Sequence, residues 1–137
     1  MSVASADFLA FATHCAGGGD EISYRNCVSR AYYGVFHAAR PVGEALCPDP
    51  NAHLSIPTHE RLHERFKAST IKGAKSIGYV LKAMKDARHR ADYDIGDLVT
   101  ASDATQSLAN AKAFTVYLAS LPGQQGNTGA QAAAGKP

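Results

Sequence analysis

Near two thirds of its length the chain reads Arg88-His89-Arg90-Ala91-Asp92-Tyr93-Asp94. A guanidinium, an imidazole and a carboxylate within about one helical turn can hold a phosphate and move a proton. Arg88 continues the apolar stripe Ile77, Leu81, Met84, so it faces the core or a cleft, where an unpaired charge is costly. Asp92 follows four residues on, at ion-pairing distance along a helix. The plain structural reading is an internal Arg88–Asp92 pair that closes the helix end, where the dipole favours a cation. The functional reading is a phosphate fork.

A second set of polar groups runs through the longest helical pattern: Asn26, Arg30, Tyr33 and His37, at steps of four, three and four. They share one face and offer hydrogen bonding and stacking rather than a metal cage. The plain reading is a buried polar seam that fixes the packing of a bundle or dimer. Charge placement is the third signal. Residues 58–90 carry nine Lys or Arg against three acids, a net of +6, whereas the remaining residues carry five against nine, a net of −4. The near-neutral total hides a basic segment suited to a phosphate-bearing partner, with Arg61, Arg65, Lys67, Lys72 and Lys75 as its surface. A solvated helix face explains the same run.

Other chemistry is poorly supported. His59 and His63 have i, i+4 spacing, but no third ligand is near in sequence and they read as exposed histidines on a basic helix. Gly17-Gly18-Gly19 lacks the strand and lysine of a phosphate loop. Neither a metal nor a cofactor is expected. Cys15, Cys27 and Cys47 are odd in number and contain no C-x-x-C, so they read as reduced, partly buried thiols. No apolar run approaches the ~20 residues of a membrane span, and residues 1–15 do not resemble a secretory signal. The expected location is the cytoplasm, without membrane association.

The elements that must position these groups are helices. The chain has 137 residues, 45% apolar, enough for one domain with its own core. Residues 4–16 place Ala4, Phe8, Phe11, Ala12 and Cys15 on one face. Asp20 is a fitting N-cap for a long helix over 21–39, which Pro41 ends or kinks, with a brief resumption over 42–46. Three prolines make 47–57 a loop. Thr58 caps a short helix over 59–68, and another helix spans 73–90. After a connection over 91–99, Thr100 and Asp103 have capping-box spacing before a last helix over 101–121, with Leu108, Ala111, Thr115, Leu118 and Leu121 inward. The expectation is all-α: an antiparallel four-helix bundle plus a short helix over residues 1–121, and a flexible tail over 122–137. The wide apolar arc of the long helix predicts a homodimer.

Ser29-Arg30-Ala31-Tyr32-Tyr33-Gly34-Val35-Phe36-His37-Ala38-Ala39, followed some fifty residues later by Arg88-x-x-Ala91-Asp92-Tyr93, resembles the HEPN family. The closest likeness is to small stand-alone prokaryotic members with AYY-x-x-FHAA and R-x-x-ADY motifs, over residues 20–120. The resemblance implies an antiparallel helical bundle, usually a homodimer. It also implies a metal-independent RNase, often a toxin paired with a nucleotidyltransferase antitoxin or part of phage defence. The family signature is Arg, often a polar residue, then His after four to six residues. Arg88 matches the Arg and His89 the polar position, but Tyr93 stands where the shortest form has His, and Asp94 and Ile95 fill the longer spacings. An unperturbed phenol with a pKa near 10 is a poor general base at neutral pH.

The expected site therefore has Arg88 on the phosphate, His37 or His89 handling protons, and Tyr93 and Asp92 shaping the pocket. His37 is the better placed of the two histidines, since His89 sits about 100° round the helix from Arg88. Arg30, Tyr33 and Arg90 complete a set of substrate contacts. Three function classes remain: a HEPN-type RNA-binding endoribonuclease, a non-catalytic module binding a nucleotide, RNA or partner protein, and a helical adaptor.

Overall fold

A computed structural model describes residues 2–123; the sequence-based tail expectation for 124–137 lies outside them. Five helices follow one another: α1 (Ser5–Ala16), α2 (Glu21–Leu46), α3 (Thr58–Ala68), α4 (Ala74–Tyr93) and α5 (Ala101–Ala119). Among the described residues there is no strand, and no helix is long and apolar enough to cross a membrane. The fold is an all-helical bundle, as the periodicity indicates.

α2 is the axis, packing against each of the other four helices. Its Cys27, Ala31, Tyr32, Val35 and Ala39 are wholly buried and meet Ala12 of α1, Phe66 of α3, Leu81 of α4 and Phe114 of α5. Asp20 caps α2 by accepting the Ser23 amide at 3.0 Å. Pro41 does not end it. Pro41 and His37 are both exposed, so the carbonyl that loses its helical donor faces water rather than the core. The Thr100–Asp103 capping box forms, with the Thr100 amide donating to Asp103 at 2.8 Å and the Asp103 amide to Thr100 Oγ1 at 3.2 Å. Thr58 lies inside the first turn of α3 rather than capping it, the cap position being Pro57. On α5 Phe114 replaces Thr115 at the core, because Thr115 turns outward and donates back to the Ala111 carbonyl. Phe11 is half exposed and does not join the face assigned to it.

Two close approaches set helix positions. A Cβ on Gly34 would lie 2.5 Å from Leu9 Cδ2, so α1 rests on bare α2 backbone. A Cβ on Gly78 would lie 2.7 Å from the Lys67 amide nitrogen and 2.9 Å from the His63 carbonyl oxygen, so α3 and α4 cross backbone to backbone. A buried cation fixes the end of α4. Arg25 of α2 pairs with Glu21 at 2.9 Å and donates to the carbonyls of Ala91, at 2.9 Å, and Asp97. Glu21 also accepts the Val99 amide at 3.1 Å, and that bond, followed by Arg25, holds its carboxyl below the usual range. α4 thereby runs to Tyr93, three residues further than its apolar pattern.

The three cysteines are free and buried, and burial raises all three thiols, Cys27 to about 11. Such thiols are poor nucleophiles.

Candidate functional site

α2 and α4 bring the two motifs into contact. The Arg88 guanidinium lies 5.8 Å from the ring centre of Tyr32 and 5.6 Å from that of Tyr33. Its Nη1 sits 3.5 Å from Asp92 Oδ2, an ion-pair distance too long for a hydrogen bond. Asp92 Oδ2 accepts from Ser29 Oγ at 3.2 Å, and Ser29 Oγ accepts from Arg30 Nη2 at 3.2 Å. Arg30 in turn stacks on Tyr33 at 4.9 Å. A polar chain thus runs Arg30, Ser29, Asp92, Arg88 across the two helices.

The Arg88 side chain is only 13% exposed. Its Nε is buried and has no hydrogen-bond partner among the described residues. A guanidinium has five N–H donors. Here they are held in place by aromatic faces and left largely unspent. They border a cleft of about 260 Å³ whose walls include His59, Lys85 and His89, with the carboxylates of Glu60 and Asp86 and the Pro57 ring completing it. Asp86 is engaged by Lys82 at 2.9 Å.

His59 is the residue sequence reasoning missed. It is half-buried rather than exposed, its Nδ1 shares a 2.6 Å hydrogen bond with the Tyr32 hydroxyl, and its ring centre lies 4.3 Å from that of Phe36. Burial above all, then the charges of Arg88, Lys85, His37 and Arg40, hold its pKa below the ordinary imidazole value. Burial pushes the Tyr32 phenol well above its usual range, so it stays protonated. A neutral imidazole oriented through Nδ1 leaves Nε2 for a ligand. The i, i+4 relation of His59 and His63 was visible, but nothing in the spacing put Tyr32 beneath one of them.

The other expected residues fall into three groups. His89 borders the Arg88 cleft despite its position on the helix, being exposed at the rim against Tyr93, 4.9 Å between ring centres. His37 is exposed and packs on Phe8 and Tyr33, at 5.0 and 6.4 Å, and is not part of the cleft wall. The seam expected along α2 is a surface edge, with Asn26 exposed and Arg30 and Tyr33 partly so. Arg90 turns away, donating to the Leu98 carbonyl at 2.6 Å and facing Asp97 at 3.4 Å; it secures the connection after α4. Tyr93 is 64% exposed, its phenol outside the cleft wall.

Much of the basic segment is also engaged. Arg61 binds Asp49 and the carbonyls of Asn51 and Leu54, Arg65 donates to the Cys47 carbonyl at 2.9 Å, and Lys67 pairs with Glu64 at 3.1 Å. These bonds tether the proline-rich loop and α3. His63 is buried against α4 rather than exposed. Among the described residues no group of three or more His, Cys, Asp or Glu side chains is placed to hold a metal ion.

No family model matches the chain, and neither a curated protein nor a solved structure matches it.

Proposed function

We propose that the chain is a HEPN-type RNA-binding protein and a metal-independent endoribonuclease. The observation that carries this reading is the unspent Arg88 guanidinium, buried at Nε and set against the rings of Tyr32 and Tyr33 at the wall of a cleft that Lys85 shares. Arg88 holds the scissile phosphate and stabilises its developing charge. His59, neutral near pH 7, takes the 2′-hydroxyl proton at Nε2 while its Nδ1 keeps the hydrogen bond to the Tyr32 hydroxyl. The 2′-oxygen then bonds to phosphorus and the 5′-oxygen leaves, taking a proton from His89 at the rim. The products are a 2′,3′-cyclic phosphate and a 5′-hydroxyl. The homodimer, the nucleotidyltransferase antitoxin and the toxin or phage-defence setting belong to the same reading and rest on the resemblance.

Incubation of a structured RNA with the protein in excess EDTA tests it. Cleavage giving cyclic-phosphate ends, lost in Arg88→Ala and His59→Gln but kept in His37→Gln, is expected. A folded, fully active Arg88→Ala protein overturns the assignment.

A second reading keeps the phosphate site without chemistry. The exposure of Tyr93, at the position of the missing signature histidine, favours it. A non-catalytic module binds a nucleotide, RNA or a phosphate-bearing partner through Arg88 and Lys85, with affinity falling as salt rises and no cleavage at any pH.

A further inference from the structure

Among the described residues a cavity larger than the Arg88 cleft lies elsewhere. A groove of about 460 Å³ lies between the first half of α4 and the second half of α5, and shares no lining residue with the cleft. Its apolar surface comes from Ile77, Val80, Phe114 and Leu121, of which Ile77, Phe114 and Leu121 are buried and form a fixed floor. Ala113 lowers one wall and Tyr117, 61% exposed, raises it beyond. This volume is in the range of about 300–1,000 Å³ usual for small-molecule sites.

Charge selects the occupant. Lys72 lines the groove, and no acidic residue does. Among the described residues Lys72, like Lys75, Lys85 and Lys112, has no ion-pair partner, and it is the cation that lines the groove. The chain after residue 123 contains no Asp or Glu side chain. An apolar trough with one unpaired cation, and with Ser76 as an additional donor, fits a molecule that has a hydrocarbon body and a single anionic head.

We infer that this groove binds a medium-chain fatty carboxylate, with the chain along Ile77, Val80 and Phe114 and the carboxylate at Lys72. Each buried methylene tightens binding by roughly fourfold, so affinity tracks chain length until the groove is full. The head contributes through Lys72, so an alcohol of the same length binds more weakly.

The test is an amide NMR titration of the full chain with octanoate, decanoate and decanol, each below its aggregation limit. Shifts centred on Ser76, Ala113 and Tyr117 are expected, with decanoate about tenfold tighter than octanoate and about two- to fivefold tighter than decanol, the scale of one exposed ion pair. Lys72→Ala should reduce decanoate to the level of decanol. Ala113→Phe, at an exposed position, should fill the groove and abolish binding while circular dichroism is unchanged. Ser76→Phe fills it from the opposite wall and serves if the first variant does not fold. The inference is overturned by absent shifts, by shifts centred on the Arg88 cleft, or by decanoate binding as tightly to both filled variants. It is equally overturned if the groove methyls contact Ala130, Ala132, Ala133 or Ala134, or a second copy of the chain, instead. None of these outcomes bears on RNA cleavage, whose readout involves the other end of α4.

Discussion

The Tyr32 hydroxyl and Nδ1 of His59 lie 2.6 Å apart, and their hydrogen bond ties α2 to α3 at the wall of the Arg88 cleft. Tyr32 is wholly buried, so its hydroxyl has no access to water as an alternative partner. The bond sets both the ring plane of His59 and which of its nitrogens is available.

Tyr32→Phe keeps the ring under Arg88 and deletes only this bond. The expected stability loss is about 1 kcal/mol, the usual net worth of one hydrogen bond. Cleavage should fall in kcat more than in KM, because the phosphate contact survives while the base loses its orientation. Steady-state kinetics on the variant, beside a thermal melt, check this. Equal loss in Tyr32→Phe and Arg88→Ala would show that the hydroxyl does more than orient.

Acid should destabilise the fold. Burial lowers the pKa of both His59 and His63 in the folded chain, helped by Arg88 and Lys85 at His59 and by Lys85, Lys67 and Lys82 at His63. Their unfolded values are near 6.5. As pH falls through 6.5 the unfolded chain takes up protons before the folded one does, so stability is greatest above 6.5 and declines below it. Glu64 beside His63 opposes the shift without reversing it. Melting temperature measured from pH 8 to 5 should drop, and His63→Leu should flatten part of the slope. A melting temperature constant down to pH 5 contradicts the buried neutral imidazoles.

Arg25 is a structural cation, in contrast to Arg88. Its guanidinium closes the carbonyl end of α4 and pairs with Glu21, which in turn holds the Val99 amide. Removing the guanidinium leaves the buried Ala91 carbonyl without its donor, at about 1–3 kcal/mol. Arg25→Ala should lower the melting temperature strongly, and Arg25→Lys should recover little of it, since an ammonium cannot reach several carbonyls at once. Chemical denaturation of both variants checks the ranking.

Gly78→Ala, a change that favours a helix by intrinsic propensity, should destabilise this one. The added methyl meets the Lys67 amide nitrogen and the His63 carbonyl, both backbone atoms of α3. Overpacking of this kind costs about 1–3 kcal/mol. A melt showing Gly78→Ala equal to or above the parent would disprove the backbone contact between α3 and α4.

The helices and their caps were legible because they are local. Asp20 and the Thr100–Asp103 pair act within one turn, and an apolar stripe at helical spacing declares its own burial. Arg88 could be placed on an inward face by that same periodicity. What the pattern hides depends on residues distant in sequence. His59 acquires its role from Tyr32, 27 positions earlier. Arg25 is an unremarked cation until the end of α4 folds over it. His37 shares a face with Tyr33, yet the cleft opens on the side of α3, which no spacing along α2 reveals. Arg61 and Arg65 read as surface charge because their partners are loop groups of Cys47, Asp49, Asn51 and Leu54.

Arg88 and Asp92 separate a phosphate site from a structural pair. At 3.5 Å, and with Asp92 already accepting from Ser29, their contact is loose. A pair of this kind, partly open to solvent, is worth about 0–1 kcal/mol. Arg88→Ala should therefore lower the melting temperature only slightly while weakening RNA affinity and reducing cleavage about a hundredfold, the latter being the scale for losing a preorganised donor to a developing oxyanion. Arg88→Lys should restore part of the binding, because a point charge cannot reproduce the guanidinium fork. Asp92→Ala removes the competing carboxylate, so RNA affinity should hold or rise. A structural pair gives the opposite pattern: both alanine variants destabilise comparably, by about 3–5 kcal/mol, and RNA binding by the surviving fold is unchanged. Melting temperature and RNA affinity on the same variants decide between them, and comparable destabilisation with intact binding would remove Arg88 from the site.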